Sequence, residues 1–81
     1  MRQTAADRAI NALIDDGWTV SHTALVNRYI YAGAVRPMQA RHGREYCRVH
    51  HGKSVNVKIR GGWWSMQYTT VLHRDIDKKE G

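Results

Sequence analysis

The stretch EYCRVHHGKSVNVKIRGGWWSMQYTTVL, residues 45–72, decides the fold. Two glycine-containing segments, His-Gly-Lys-Ser and Gly-Gly, interrupt it and are typical of hairpin connections. Between them apolar residues alternate with polar ones, which is the period of a half-buried strand. The pattern therefore predicts a three-stranded antiparallel β-meander over about residues 45–51, 55–60 and 63–72.

The register of this meander follows from its loops. A two-residue loop at residues 61–62 pairs Val57 with Met66 and collects the apolar side chains on one face. A three-residue connection at residues 52–54 keeps Arg48 out of that face, because burying an unpaired charge costs several kcal/mol. The outward face then carries basic and aromatic side chains: Tyr46, Arg48, His50, Lys58, Arg60 and Trp63.

A helix is predicted at the start of the chain. Thr4 followed three residues later by Asp7 matches a capping box, in which each residue bonds the backbone of the other. Apolar residues then recur at helical spacing. We therefore expect an amphipathic helix over residues 5–15.

The segment between this helix and the meander is predicted as a second helix and a connector. Ser21 can cap a helix over about residues 22–32. A strand over residues 25–31 is the alternative, because valine, tyrosine and isoleucine favour sheets. The next residues, RPMQARHGR at 36–44, combine a proline, a glycine and three arginines, which is typical of a mobile basic connector.

The predicted fold class is thus α+β, with two N-terminal helices (about 5–15 and 22–32) packed on a three-stranded antiparallel meander. Residues 1–74 form a single small basic domain and residues 75–81 a solvated charged tail. The order of two helices before a basic hairpin resembles that of a winged helix-turn-helix domain. The resemblance implies that the second helix enters the major groove of DNA and that the connector or hairpin acts as the wing.

Charge is strongly segregated along the chain. Between Gly17 and Arg74 lie nine Lys or Arg residues and one acid, Glu45, in a protein of formal net charge +6. Such a segment attracts phosphate backbones or acidic surfaces. We expect a soluble, cytoplasmic protein without a membrane partner, because no apolar run approaches the length of a membrane span. Cys47 is the single cysteine, so no internal disulfide is possible.

The favoured function is non-enzymatic nucleic-acid binding by a small regulator, with DNA ahead of RNA because of the helix-turn-helix-like order. Trp18 and Trp64 are expected in the core, whereas alternation places Trp63 outward, where it can stack on a base. Asn27 and Arg28 on the second helix are the candidate base readers. The remaining candidates contact phosphates or stack: Arg36, Arg41, Arg44, Tyr46, Arg48, Lys58, Arg60 and Trp63.

Other functions stay open. A small basic inhibitor or adaptor that binds an acidic protein surface is the second hypothesis, because tryptophan and arginine dominate protein interfaces. A metal-independent RNase toxin is the third, with His22, His50 and His51 as the candidates for acid and base and Lys58 and Arg60 for the phosphate. The spacing Cys47-x-x-His50 suggests zinc only weakly, since one thiolate is present. We expect no cofactor, no metal and no small-molecule substrate.

Overall fold

A computed structural model describes residues 2–27 and 29–76. In that part of the chain one helix precedes four strands: α1 (Ala5–Asp15), β1 (Thr19–Val26), β2 (Val35–Arg41), β3 (Arg44–Ile59) and β4 (Gly62–Asp75). The strands form one antiparallel sheet in the order β1-β4-β3-β2. The fold is therefore mostly β, and the predicted α+β class, with its winged helix-turn-helix order, is wrong.

Helix α1 confirms the prediction for residues 5–15. The capping box is formed, because the Asp7 amide donates to Thr4 Oγ1 and the Thr4 amide donates to Asp7 Oδ2, both at 3.1 Å. At the other end Gly17 has a φ of 95°, and the amide of Trp18 donates to the carbonyl of Leu13 at 2.9 Å. This is the hydrogen bond of a helix that ends in a left-handed glycine.

The predicted second helix, residues 22–32, is wrong. Its first half belongs to β1, which pairs with β4 from Thr19 opposite His73 to Val26 opposite Gln67. Ser21 caps nothing; it lies at an irregularity in β1, and its hydroxyl hydrogen-bonds the ring of His73, 52 residues away. The local pattern cannot detect a strand whose partner is so distant in sequence. The alternative strand over residues 25–31 is misplaced as well, since β1 ends at Val26.

The predicted mobile connector, residues 36–44, is also wrong. Most of it is β2, an edge strand of the sheet that pairs with β3. Pro37 is tolerated there because an edge strand has one side on which no amide needs to donate. His42 and Gly43, with φ of 55° and 74°, form the tight turn into β3. Positive φ at both central residues is typical of two-residue hairpin loops.

The predicted first hairpin of the meander does not exist. The proposed connection at residues 52–54 lies inside the continuous strand β3, where the pairing shifts between His50 opposite Thr69 and Ser54 opposite Gln67. Residues 51–53 thus bulge opposite a single residue of β4. The strand bends at this point instead of turning back.

The second hairpin exists, with its turn one residue earlier than predicted. Arg60 and Gly61 form the turn with φ of 51° and 80°, and Val57 pairs with Trp64 instead of Met66. Because the partner moves by two residues, every side chain keeps its face. The predicted grouping of outward side chains on this hairpin therefore survives the change of register.

The core lies between α1 and one face of the sheet. Its buried apolar residues and the partly buried ones around them are Ala6, Cys47, Val49 and Leu72 with Ala9, Ile10, Leu13 and Trp18. An 11-residue helix is about 16 Å long, whereas the 16 residues of β3 extend about 50 Å. The helix therefore covers only part of the sheet, and Trp64, expected in the core, is 48% exposed.

The face of the sheet opposite α1 is here called the open face. Strand alternation and register assign it, among others, these side chains: His22, Val26, Arg36, Met38, Arg41, Arg44, Tyr46, Arg48, His50, Lys58, Trp63, Gln67, Thr69 and Val71. The smallest extent of the molecule is 16 Å, which is the thickness of one helix on one sheet. No helix in the described residues is long and apolar enough to cross a membrane.

Candidate functional site

Two adjoining grooves lie on the open face. The first encloses about 480 Å³ and is lined by Arg36, Arg48 and His50 together with apolar residues of β1, β2, β4 and the loop between β1 and β2. The second encloses about 500 Å³ and is lined by Arg41 and Tyr46, among others. No carboxylate of the described residues lines either groove. The open face is therefore concave and basic.

Backbone pairing brings the basic side chains of the first groove together. Arg36 on β2 lies directly opposite Arg48 on β3, and His50 follows on the same face of β3. The His50 amide donates to the Ala34 carbonyl at 2.9 Å, and the Gly33 amide donates to the His50 carbonyl at 2.8 Å. These bonds fix the end of the loop that connects the two edge strands, and the same loop carries Asn27 and Ile30 to the groove.

Several polar atoms at this end of the open face have no hydrogen-bond partner among the described residues. They are Arg48 Nε, His50 Nδ1 and Gln67 Oε1, all buried. His50 is only 2% exposed, and this burial, with the neighbouring charges of Arg48 and Arg36, lowers the pKa of its imidazole. The ring is therefore neutral near pH 7, and the two arginines carry the charge of the groove.

The second groove combines a base with an aromatic side chain. Arg41 and Tyr46 lie beside Met38, His22 and Val71. The Tyr46 and His73 rings are 6.1 Å apart and tilted by 52°, which holds the tyrosine in place.

A base and an aromatic side chain also meet on the ribbon formed by the distal parts of β3 and β4, residues 55–66. Lys58 lies opposite Trp63, and its Nζ is 6.0 Å from the centroid of the indole ring. Trp63 is 70% exposed, the highest value among the three tryptophans. The indole face is thus available for stacking, next to a positive charge.

The carboxylates near the sheet neutralise other bases. Arg74 donates to Glu45 at 2.8 Å and to Asp16 at 3.1 Å on the helix side, and its guanidinium lies 4.6 Å from the Trp18 ring centroid. The hydrogen bond to Glu45 raises the pKa of Arg74. Arg44 pairs with Asp75 at 3.2 Å. Four other bases of the open face form no ion pair within residues 2–27 and 29–76: Arg36, Arg41, Arg48 and Lys58.

The structure brings together most of the side chains that the sequence singled out. Arg36, Arg48 and Asn27 line the first groove, Arg41 and Tyr46 line the second, and Lys58 and Trp63 share the ribbon. Their role in binding stays a prediction.

Two of the predicted residues line neither groove and do not share the ribbon with Lys58 and Trp63, and the setting of Asn27 differs from the predicted one. Arg44 is tied to Asp75, and Arg60 lies in the ribbon turn. Asn27 lies in a loop instead of on a recognition helix, and Arg28 lies outside the described residues. β4 ends at Asp75, and residues 77–81 of the predicted tail also lie outside them.

The structure adds His50 to the candidate site. The sequence pattern already placed His50 on the outward face, two residues after Arg48. Its burial beside Arg36 depends on β2, a strand that the sequence pattern did not predict. His51 lies on the helix side, where its Nε2 is 2.6 Å from Thr70 Oγ1. His50 and His51, two of the three histidines of the RNase hypothesis, therefore face opposite sides of the sheet, whereas His22 shares the open face with His50.

Cys47 is likewise separated from His50. It is buried under α1 while His50 faces the open side, and burial raises the pKa of its thiol. The two residues of the Cys47-x-x-His50 spacing therefore face opposite sides of the sheet and cannot bind one zinc ion. Within the described ranges, no group of three or more His, Cys, Asp and Glu side chains is placed to hold a metal ion.

The open face thus joins two basic grooves to a ribbon that exposes a tryptophan. Comparison with known proteins adds no homologue from which a role could be transferred. No protein-family model, no curated protein and no solved structure matches this chain. Its function is accordingly inferred from the chemistry of the open face.

Proposed function

We propose that this protein binds single-stranded nucleic acid, without cleaving it, along the open face of its sheet. The observation that carries the proposal is the set of four bases on that face without an ionic partner among the described residues: Arg36, Arg41, Arg48 and Lys58. A phosphate backbone supplies the missing negative charge. The preference for duplex DNA depended on a recognition helix that does not exist, so it is dropped.

Aromatic side chains favour a single strand over a duplex. Trp63 and Tyr46 lie on the same face as the lysine and arginine side chains, and Trp63 is largely exposed beside Lys58. Unpaired bases can stack on such rings, whereas the bases of a duplex are already stacked on one another. A concave sheet face on which basic side chains alternate with aromatic rings is typical of this mode of binding.

A titration of fluorescently labelled 12-nucleotide strands tests the proposal. Single-stranded DNA, single-stranded RNA and duplex DNA are compared at 50 and 200 mM salt. Four phosphate contacts predict a slope of log K against log salt of about −3, from roughly −0.7 per phosphate on a single strand. Tighter binding of the duplex than of both single strands would contradict the proposed mode.

Matched charge variants locate the interface. Arg41→Gln removes a base of the second groove, while Lys53→Gln removes one outside the open face, near the N-terminus of α1, where it interacts with Asp7. We expect Arg41→Gln to weaken single-strand binding and make the salt slope shallower by about 0.7. Lys53→Gln should leave the slope unchanged. Equal effects of the two variants would mean that charge alone, and not the open face, determines binding.

An acidic protein surface is the second candidate partner. The exposed Trp63 beside Lys58 supports it, because tryptophan next to a cation is common at protein interfaces. A pull-down from lysate with and without nuclease separates the two candidates. If no strand binds at 50 mM salt and the retained partner survives nuclease, the protein partner replaces the nucleic acid.

A further inference from the structure

We infer that the first groove is a subsite for a nucleotide that carries a terminal phosphate monoester, held between Arg36 and Arg48. This inference rests on the proposed function, since it takes the ligand to be the end of a nucleic-acid strand. It names a particular ligand group, whereas the rest of the open face indicates only a phosphate backbone with stacked nucleobases. Three features of the groove carry it: its charge, its unpartnered donors and its apolar wall.

The charge of the groove matches a dianion. Arg36 and Arg48 are direct cross-strand neighbours, so their charges repel each other in the free protein. None of the residues that line the groove is acidic. A phosphate monoester carries up to two negative charges near pH 7, whereas an internal phosphodiester carries one. The monoester can therefore neutralise both guanidinium groups at once, through charge-assisted hydrogen bonds.

The groove also contains polar atoms whose hydrogen bonds are not made within the described chain. Arg48 Nε is buried without a partner, and so is Nδ1 of His50, a side chain that is 2% exposed and lines the groove. Buried polar atoms without partners are rare, because each costs about 1–3 kcal/mol. A phosphate oxygen accepts from Arg48 Nε, and it also accepts from His50 when the ring carries its proton on Nδ1.

The walls of the groove suit the rest of a nucleotide. Val26 and Ile30 line it beside the arginines, and Asn27 adds an amide that can both donate and accept. Its volume of about 480 Å³ lies within the range of about 300–1,000 Å³ of small-molecule sites. The sugar and base can therefore lie on the apolar wall while the phosphate meets the arginines.

Titrations of the whole protein, followed through its backbone amide NMR signals, test the subsite. The probes are adenosine 5′-monophosphate, uridine 5′-monophosphate, adenosine and inorganic phosphate. We expect both monophosphates to shift the amides of residues 33–36 and 48–50, and adenosine to bind at least about tenfold more weakly, which corresponds to the loss of one or more charged hydrogen bonds. Inorganic phosphate should shift the same amides but bind more weakly than the nucleotides.

Variants and strands complete the test. Arg36→Gln, at an exposed position on the edge strand, and Arg48→Gln should each weaken monophosphate binding about tenfold or more. Lys53→Gln, outside the open face, should not change it. A 12-nucleotide strand with a 5′- or 3′-phosphate should bind more tightly than the same strand with hydroxyl ends, and Arg36→Gln should remove that difference.

Each outcome separates the subsite from the proposed function. If strands bind but their phosphorylated and hydroxyl forms bind equally and the monophosphates shift no groove amide, the subsite is wrong and the function stands. If acetate or a short acidic peptide shifts these amides as strongly as the monophosphates do, the groove binds carboxylates and the inference is overturned. If neither strands nor monophosphates bind, both proposals fail.

Discussion

Arg36 and Arg48 lie directly opposite each other on β2 and β3, and no carboxylate of the described residues lines the groove that they share. Like charges at such a position destabilise a sheet by roughly 0.2–1 kcal/mol. This cost is small enough for the protein to fold, and the two adjacent guanidinium groups attract an anion. The free protein therefore carries a local repulsion that a bound anion would relieve.

Removing one member of this pair should separate stability from binding. We expect Arg36→Gln to raise the free energy of unfolding by a few tenths of a kcal/mol, up to about 1 kcal/mol, while it weakens binding of single strands. Urea unfolding and strand titration on the same sample measure both quantities. Lys53→Gln is the control, and a loss of stability in Arg36→Gln would show that the two arginines do not repel each other.

The two neighbouring tryptophans offer a matched comparison. Trp63 lies opposite Lys58 on the open face, whereas Trp64 lies opposite Val57 on the other. We expect Trp63→Ala to weaken single-strand binding by about 1–3 kcal/mol, the range for one base stacked on an aromatic ring. Trp64→Ala should change it little. Equal losses in both variants, measured by titration at constant salt, would contradict the assignment of faces.

The burial of His50 predicts a pH dependence of stability. Its pKa in the folded protein is lowered by burial and by the charges of Arg48, Arg36 and His51, while the unfolded value is near 6.5. Below about pH 6.5 the unfolded chain therefore binds a proton that the folded protein resists, so the free energy of unfolding falls as the pH drops from about 6.5 toward the lowered pKa.

Urea unfolding between pH 7.5 and 5 checks this dependence. The window lies above the range in which Asp7 titrates, because hydrogen bonds to Thr4 lower the pKa of that carboxyl. His50→Gln should flatten the curve of unfolding free energy against pH. His22→Gln, at an exposed position, serves as the control. A curve of unchanged slope in His50→Gln would contradict the proposed burial.

Gly52 is expected to be the least replaceable glycine of the bulge and turns. It has a φ of 72°, and a Cβ there would lie 2.8 Å from the Cβ of Ala32, whereas Gly43, with a φ of 74°, has no atom within 4 Å of that position. Both alanine variants incur the left-handed strain of about 1–2 kcal/mol. We expect Gly52→Ala to lose about 1–3 kcal/mol more through overpacking.

Thermal or urea unfolding of the two variants measures that difference directly. The same comparison tests the loop that carries Asn27 and Ile30 to the first groove, because Ala32 belongs to it. If Gly52→Ala and Gly43→Ala are equally stable, the loop does not pack against the bulge.

Arg74 is expected to stabilise the fold, whereas Arg41 is expected to bind the nucleic-acid strand. Arg74 binds Glu45 and Asp16 and lies over Trp18, whereas Arg41 has no ionic partner among the described residues. We expect Arg74→Gln to lower stability and leave the salt slope of strand binding unchanged, and Arg41→Gln to do the opposite. Denaturant curves and salt titrations of both variants distinguish a structural arginine from a binding one.

The amino-acid sequence by itself determined the features that depend on neighbouring residues. Helix α1 with its Thr4–Asp7 capping box, the existence of the hairpin before Trp63, and the placement of Lys58 and Trp63 on one face all follow from local spacing. Alternation has a period of two, so an error of one residue in the turn left the faces of this hairpin unchanged. The segregation of charge was equally visible, because it needs no fold.

Only the tertiary structure decided how the remaining segments pair. β1 and β2 became strands because β4 and β3 offer them backbone partners, a contact that no local propensity contains. The pairing of β2 with β3 places Arg36 opposite Arg48, and the loop before β2 bonds the backbone of His50. The pairing of β3 with β4 places Glu45 opposite Arg74. The sequence therefore carried the excess of positive charge, and the long-range hydrogen bonds of the sheet determined where that charge remains unpaired.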